Sequence, residues 1–140
     1  MQTEILAPAA VLIIWSLVML LWMAAVRLPA LAHARIPRDK RRGGRGQDLE
    51  GVIAPEINWK AHNYAHLMEQ PTLFYACVLI LAMVGYGPGV LAAAWVYVGL
   101  RIVHSLWQAL VNTIPVRFAL FLLSSLVLTY MAIEALLATI

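Results

Sequence analysis

The feature that most constrains the fold is a long run, residues 5–26, without a charged side chain. Such a run is long enough to cross the hydrocarbon core of a bilayer as one helix. The residues before it are not basic, and the run is too long for the apolar segment of a signal peptide. We therefore interpret it as a permanent membrane span, with Arg27 at its end extending to the interface.

Three further apolar segments follow, and the composition agrees with a membrane protein. Hydrophobic residues make up 63% of the 140 residues and charged residues 12%, and the mean hydropathy is +0.81. A soluble domain of this size is far less apolar. The four predicted spans are about residues 5–28, 58–86, 90–112 and 115–139. We expect an all-α fold in which one domain, residues 1–140, forms a four-helix bundle in the membrane.

The segment between the first two spans, residues 29–57, is polar and basic. Its cationic residues are Arg35, Arg38, Lys40, Arg41, Arg42 and Arg45. The glycines among them lack the strand and helix of a phosphate-binding loop, so we expect a mobile, solvated loop that touches anionic lipid headgroups. The positive-inside rule places this loop in the cytoplasm and both termini outside. The net charge of +3 thus indicates orientation rather than nucleic-acid binding.

Polar side chains recur on one face of the second span. His62, His66 and Glu69 lie at positions i, i+4 and i+7, and Pro71 is expected to kink the helix just beyond them. Ionisable groups facing lipid are costly, so these should face the bundle interior or a wet cavity and are candidates for a functional site. The alternative is that they only pair with neighbouring helices and fix the packing.

The third span carries a second polar face. Arg101, His104 and Gln108 lie at i, i+3 and i+7, and Arg117 follows at the start of the fourth span. Counted from the cytoplasmic ends of their spans, Glu69 lies ~14 Å deep and Arg101 ~16 Å deep. We predict that these two residues pair, within one subunit or between subunits. The two faces together indicate a basic pocket that opens to the cytoplasm and suits an anionic, water-soluble ligand with an apolar co-substrate.

Three short motifs resemble those of a known family. They are N-Y-A-H-L-M-E-Q-P at residues 63–71, L-R-I-V-H-S at residues 100–105 and P-V-R at residues 115–117. With four spans around them, they resemble the MAPEG family, the membrane-associated proteins of eicosanoid and glutathione metabolism. The pattern is most similar to the bacterial branch of that family, and this resemblance implies a protein of the bacterial inner membrane.

The resemblance implies a homotrimer in which glutathione binds between neighbouring subunits near the cytoplasmic side. It also implies a glutathione-dependent transferase or peroxidase that acts on a lipophilic electrophile. In such a site Arg117 is catalytic, because a cation stabilises the nucleophilic thiolate. The residues expected to bind glutathione are His62, His66, Glu69, Arg101, His104 and Gln108.

Two other functions stay open at this point. Glutathione-using members usually carry arginine and asparagine where this chain has His62 and His66, and several carry tyrosine at the place of Gln108. A non-catalytic scaffold, a lipid-binding protein or an accessory subunit of a membrane complex is therefore the main alternative. A metal site built on His62, His66 and Glu69, with His104 nearby, is less favoured because no further acidic ligand or cysteine cluster supports it. The single cysteine, Cys77, excludes an internal disulfide and is expected to be buried.

Overall fold

A computed structural model describes residues 3–36 and 42–140, and this part of the chain is predominantly helical. The elements are α1 (Leu6–His33), α2 (Pro55–Leu67), α3 (Gln70–Val84), α4 (Pro88–Leu110) and α5 (Ile114–Thr139), with a short 3₁₀ turn at Gly46–Leu49. Helices α2 and α3 follow one another as a single broken span. The chain therefore has four segments long and apolar enough to cross a membrane, which confirms the predicted all-α, four-span fold.

Prolines set the starts of several helices. Helices α2, α4 and α5 each have a proline in the first turn, at Pro55, Pro88 and Pro115. This position tolerates proline because the missing N–H would have no partner there, and the ring fixes a helical φ. Gly85 ends α3 with a φ of 98°, a backbone conformation that residues with a Cβ rarely adopt. The turns between spans are short for these reasons.

The second span is interrupted where a kink was predicted. Helix α2 ends at Leu67 and α3 begins at Gln70, so the break consists of Met68 and Glu69. Pro71 causes the interruption, because its ring excludes the carbonyl of Leu67 and it has no N–H to donate. The kink is confirmed, and it leaves backbone carbonyls of the last turn of α2 open to other donors.

Helix α4 occupies the centre of the bundle and packs against α1, α2 and α5. Its Tyr97 is fully buried and stacks on Phe74 of α3, with ring centroids 4.4 Å apart. The largest fully buried side chain is Arg101, which also belongs to α4. The outer faces of the helices are apolar and exposed, as at Ile14, Leu21 and Leu136. A buried cation inside such a bundle marks the part of the molecule where function is expected.

Part of the basic loop is held against the bundle rather than solvated throughout. Arg27 Nη2 donates a hydrogen bond to the Gly46 carbonyl at 2.6 Å, and Asn58 Nδ2 donates to the Leu49 carbonyl at 3.3 Å. These bonds tie the 3₁₀ turn to α1 and α2, so the expectation of a freely mobile loop does not describe this part. The cations Arg38, Lys40 and Arg41, on which that expectation partly rested, lie outside the described residues.

Candidate functional site

Arg101 is a fully buried cation that is bonded to a single residue. Its Nη2 donates to the Nδ1 of His66 at 3.1 Å and to the His66 carbonyl at 3.2 Å. The carbonyl can accept because the break before Pro71 takes it out of the regular helical ladder. Because Nδ1 accepts a hydrogen bond, the assigned tautomer of His66 carries its proton on Nε2. The break in the second span thus provides one of the two atoms that accept hydrogen bonds from Arg101.

The rest of the Arg101 guanidinium has no partner. Its Nε and Nη1 are buried without a hydrogen-bond acceptor, and it forms no ion pair with any described carboxylate. Leaving a buried charge uncompensated is strongly unfavourable, so the arrangement calls for an anion that the subunit itself does not supply. Two nitrogens, Nε with one N–H and Nη1 with two, remain available for that anion.

The predicted Glu69–Arg101 pair is not formed within the described part of one subunit. The Glu69 side chain is 71% exposed, and its Oε2 lies 3.9 Å from Nδ1 of His66 instead. Glu69 occupies the break between α2 and α3, where the regular rotation of a helix no longer determines its direction. A pair between neighbouring subunits stays a prediction.

A cleft of about 200 Å³ lies between the ends of α2, α4 and α5. It is lined by His66, His104, Ile114, Arg117, Phe118 and Phe121. The His66 and His104 rings meet edge to face with centroids 4.8 Å apart, and Phe121 contacts His66 at 5.5 Å in a similar geometry. The cleft thus combines three nitrogen-bearing side chains with an apolar wall from α5.

Arg117 is placed in this cleft by the tight turn between α4 and α5. Asn112 adopts a φ of 58° in that turn, and its Oδ1 accepts a hydrogen bond from Nη1 of Arg117 at 2.6 Å. Trp107 Nε1 donates to Thr113 Oγ1 at 2.9 Å and ties the end of α4 to the start of α5. The guanidinium is partly buried and keeps donors free for a ligand.

His104 and Gln108 lie on the same buried face of α4 as Arg101. They are 1% and 4% exposed, and the His104 Nε2 and Gln108 Oε1 atoms have no partner among the described residues. His104 lines the cleft, whereas Gln108 does not. Unpaired buried polar atoms are rare in native proteins and here accumulate along one face.

His62 lies in a different pocket from the other candidate residues. It is 44% exposed, its Nε2 is 3.0 Å from Oε1 of Glu50, and it faces Arg27 and Arg45. His66, one turn further on, instead receives its hydrogen bond from Arg101. The shared face of the helix therefore does not translate into a shared site. Within residues 3–36 and 42–140, no group of three potential metal ligands converges.

Sequence reasoning missed a polar network around Gln70. Tyr97 Oη donates to Oε1 of Gln70 at 3.2 Å, and Nε2 of Gln70 donates to Oγ of Ser125 at 2.7 Å. Ser124 Oγ donates to the same Oε1 at 3.4 Å. The network joins α3, α4 and α5 directly beside the break. Adjacent serines in an otherwise apolar span were the available signal.

Sequence reasoning also missed a buried contact of Asn63. Asn63 of α2 is buried, and its Nδ2 donates to Oγ of Ser105 at 2.8 Å and to Sδ of Met19 at 3.1 Å. This contact joins α1, α2 and α4 on the side of α2 away from His62. It fixes the rotation of α2 and thereby the direction of both histidines.

Comparison with family models decides the classification. A model described as MAPEG family matches residues 5–137. The chain belongs to the MAPEG family. A comparison with curated proteins and another with solved structures found no match. In this MAPEG protein, the residues that carry the family motifs are those that surround the buried guanidinium and the cleft.

Proposed function

We propose that this MAPEG protein binds glutathione and acts on a lipophilic electrophile. It either transfers glutathione to the electrophile or, where the electrophile is a peroxide, uses glutathione to reduce it. The observation that carries the proposal is the Arg101 guanidinium, which is fully buried, has two unpartnered nitrogens, Nε and Nη1, and has no carboxylate partner among the described residues. A ligand carboxylate supplies the missing charge and both acceptors.

Glutathione fits this environment for chemical reasons. It carries two carboxylates, and the guanidinium presents its donors as a rigid fork that matches a carboxylate. His104 Nε2 and Gln108 Oε1 are buried without a partner among the described residues, and they add polar contacts along the same face. Because Arg101 is already desolvated in the folded subunit, only the desolvation of the carboxylate opposes the new contact.

Arg117 is the proposed catalytic residue. It lies in the cleft beside His66 and His104, near the N-terminus of α5, where a helix dipole also favours an anion. The thiol loses its proton to solvent, and Arg117 stabilises the resulting thiolate. The sulfur then forms a bond to the electrophilic carbon while the leaving group departs with the electron pair. Phe118 and Phe121 offer an apolar surface for the electrophile.

The site is proposed to be completed by assembly. Glu69 is exposed at the break and is therefore available to a neighbouring subunit of a homotrimer. There it would pair with Arg101 of that subunit or contact the peptide backbone of glutathione. In the bacterial inner membrane, with both termini outside, the cleft opens toward the cytoplasm, where glutathione is available. His62 belongs to this site only if assembly brings ligand to the other side of α2.

Glutathione binding to the purified protein, measured by calorimetry in detergent, tests the proposal. Saturable binding that is lost in Arg101→Gln supports it. Arg42→Gln is the matched control, since it removes the same charge from an exposed loop position. Absence of binding at millimolar glutathione would instead favour a non-catalytic role as a scaffold, lipid-binding protein or accessory subunit.

A further inference from the structure

A second basic pocket lies on the other side of α2, between the end of α1 and the 3₁₀ turn. Its volume is about 470 Å³, and its lining includes Arg27, Arg45, Gln47, His62 and Tyr64. It shares no lining residue with the cleft of Arg117. No described carboxylate lines it, although Glu50 bonds to His62 at its edge. The pocket is therefore a separate, positively charged site.

Arg27 is held in place at this pocket with donors to spare. Its Nη2 donates to the Gly46 carbonyl at 2.6 Å, while its Nε is buried and has no partner among the described residues. A Cβ on Gly46 would lie 3.2 Å from Nη2 and 3.3 Å from Nη1 of Arg27. The absence of a side chain at Gly46 thus lets the turn close directly on the guanidinium. This fixed arginine borders the same pocket as Arg45, so two arginines are available to donate to a tetrahedral anion.

The surroundings indicate which anion. Arg27 ends the charge-free stretch of α1, at the level where a membrane span meets the headgroups. Lys60 lies over the ring of Trp22 at 5.6 Å on the same side of the bundle, an arrangement suited to the interface. Met23 and the alanines of α2 give the pocket an apolar floor along which an acyl chain can lie.

We propose that the pocket of Arg27, Arg45 and His62 binds a phosphate group, with the headgroup of an anionic phospholipid as the source that its position favours. Arg27 and Arg45 hold the phosphate oxygens, and His62, oriented by Glu50, closes the pocket. A lipid bound here ties α1 to the 3₁₀ turn and to α2. This site is independent of the proposed glutathione chemistry.

The test uses the purified full-length protein in detergent, titrated with phosphatidylglycerol and, in parallel, with phosphatidylcholine. Bound lipid is followed by native mass spectrometry. We expect Arg27→Gln to weaken phosphatidylglycerol binding about tenfold, as expected for loss of a charge-assisted fork. Arg42→Gln, which removes the same charge from outside the pocket, should change it by less than about twofold. Equal losses in both variants would overturn the site, since only net charge would then matter.

A second variant distinguishes loss of the site from a folding defect in Arg27→Gln. Gly46→Ala keeps every charge but places a Cβ 3.2 Å from Nη2, so the guanidinium must shift by a few tenths of an ångström. We expect this variant to bind phosphatidylglycerol more weakly while its melting temperature stays near that of the wild type. Unchanged binding in Gly46→Ala with an intact fold would contradict the cradle. Competition by inorganic phosphate would support phosphate recognition with a soluble ester as ligand, and lack of competition would support a lipid source. Displacement of the lipid by glutathione would overturn the proposal, because it would place the peptide in this pocket.

Discussion

Arg101 donates from one guanidinium nitrogen to two atoms of His66, the imidazole Nδ1 at 3.1 Å and the backbone carbonyl oxygen at 3.2 Å. At the break this carbonyl lies outside the α-helical ladder, and it accepts from both the Glu69 N–H and Arg101. A helix defect and a buried charge therefore depend on each other. The remaining donors of the arginine point to an anionic ligand.

Replacing Arg117 tests its assignment as the catalytic residue. In Arg117→Gln we expect turnover with a lipophilic aryl halide and glutathione to fall roughly 10²-fold, the usual cost of losing one charge-stabilising donor. Glutathione affinity should change little, because Arg101 lies elsewhere and retains its donors. Steady-state kinetics together with calorimetry separate the two effects. Unchanged turnover would remove Arg117 from the mechanism, and Arg42→Gln serves as the charge-matched control.

Repairing the helix break should weaken the site without weakening the fold. In Pro71→Ala the N–H of residue 71 can again bond to the carbonyl of Leu67, and a continuous helix would draw the His66 carbonyl away from Arg101. We expect a melting temperature equal to or above that of the wild type and glutathione binding reduced by about tenfold, as expected for one lost hydrogen bond to a charged group. Differential scanning fluorimetry and calorimetry measure the two quantities.

Pro88→Ala provides the comparison for that experiment. Pro88 occupies the first turn of α4, where no helical hydrogen bond is missing. It should leave glutathione binding unchanged. If Pro71→Ala binds glutathione as tightly as Pro88→Ala does, the break has no part in the site.

The Gln70 network should contribute to stability rather than to ligand binding. Gln70→Leu leaves Tyr97 Oη and Ser125 Oγ without this partner, and we expect a loss of about 1–2 kcal/mol in the free energy of unfolding. Unfolding in mixed micelles measures this loss. Thr129→Val is the control, since Thr129 is exposed and bonds only within α5. A loss in Gln70→Leu no larger than in Thr129→Val would show that the network is energetically neutral.

The sequence by itself determined the fold class, because a charge-free stretch of about 20 residues can cross a bilayer as a helix with every backbone hydrogen bond made internally. It also determined the position of the break, since Pro71 cannot take part in a continuous helix whatever surrounds it. Arg101 and His104 were found for the same reason: buried ionisable groups are costly, so their presence in an apolar span is informative by itself.

Only the tertiary structure decided which of these groups meet. Helical periodicity placed His62, His66 and Glu69 on one face, but His62 contacts Glu50 of the loop, His66 contacts Arg101 of α4, and Glu69 leaves the bundle at the break. Local spacing cannot foresee these outcomes, because each depends on a partner distant in the chain or on the end of helical rotation. The pocket of Arg27 and Gly46 was hidden for the same reason: it forms only when the loop folds back on α1.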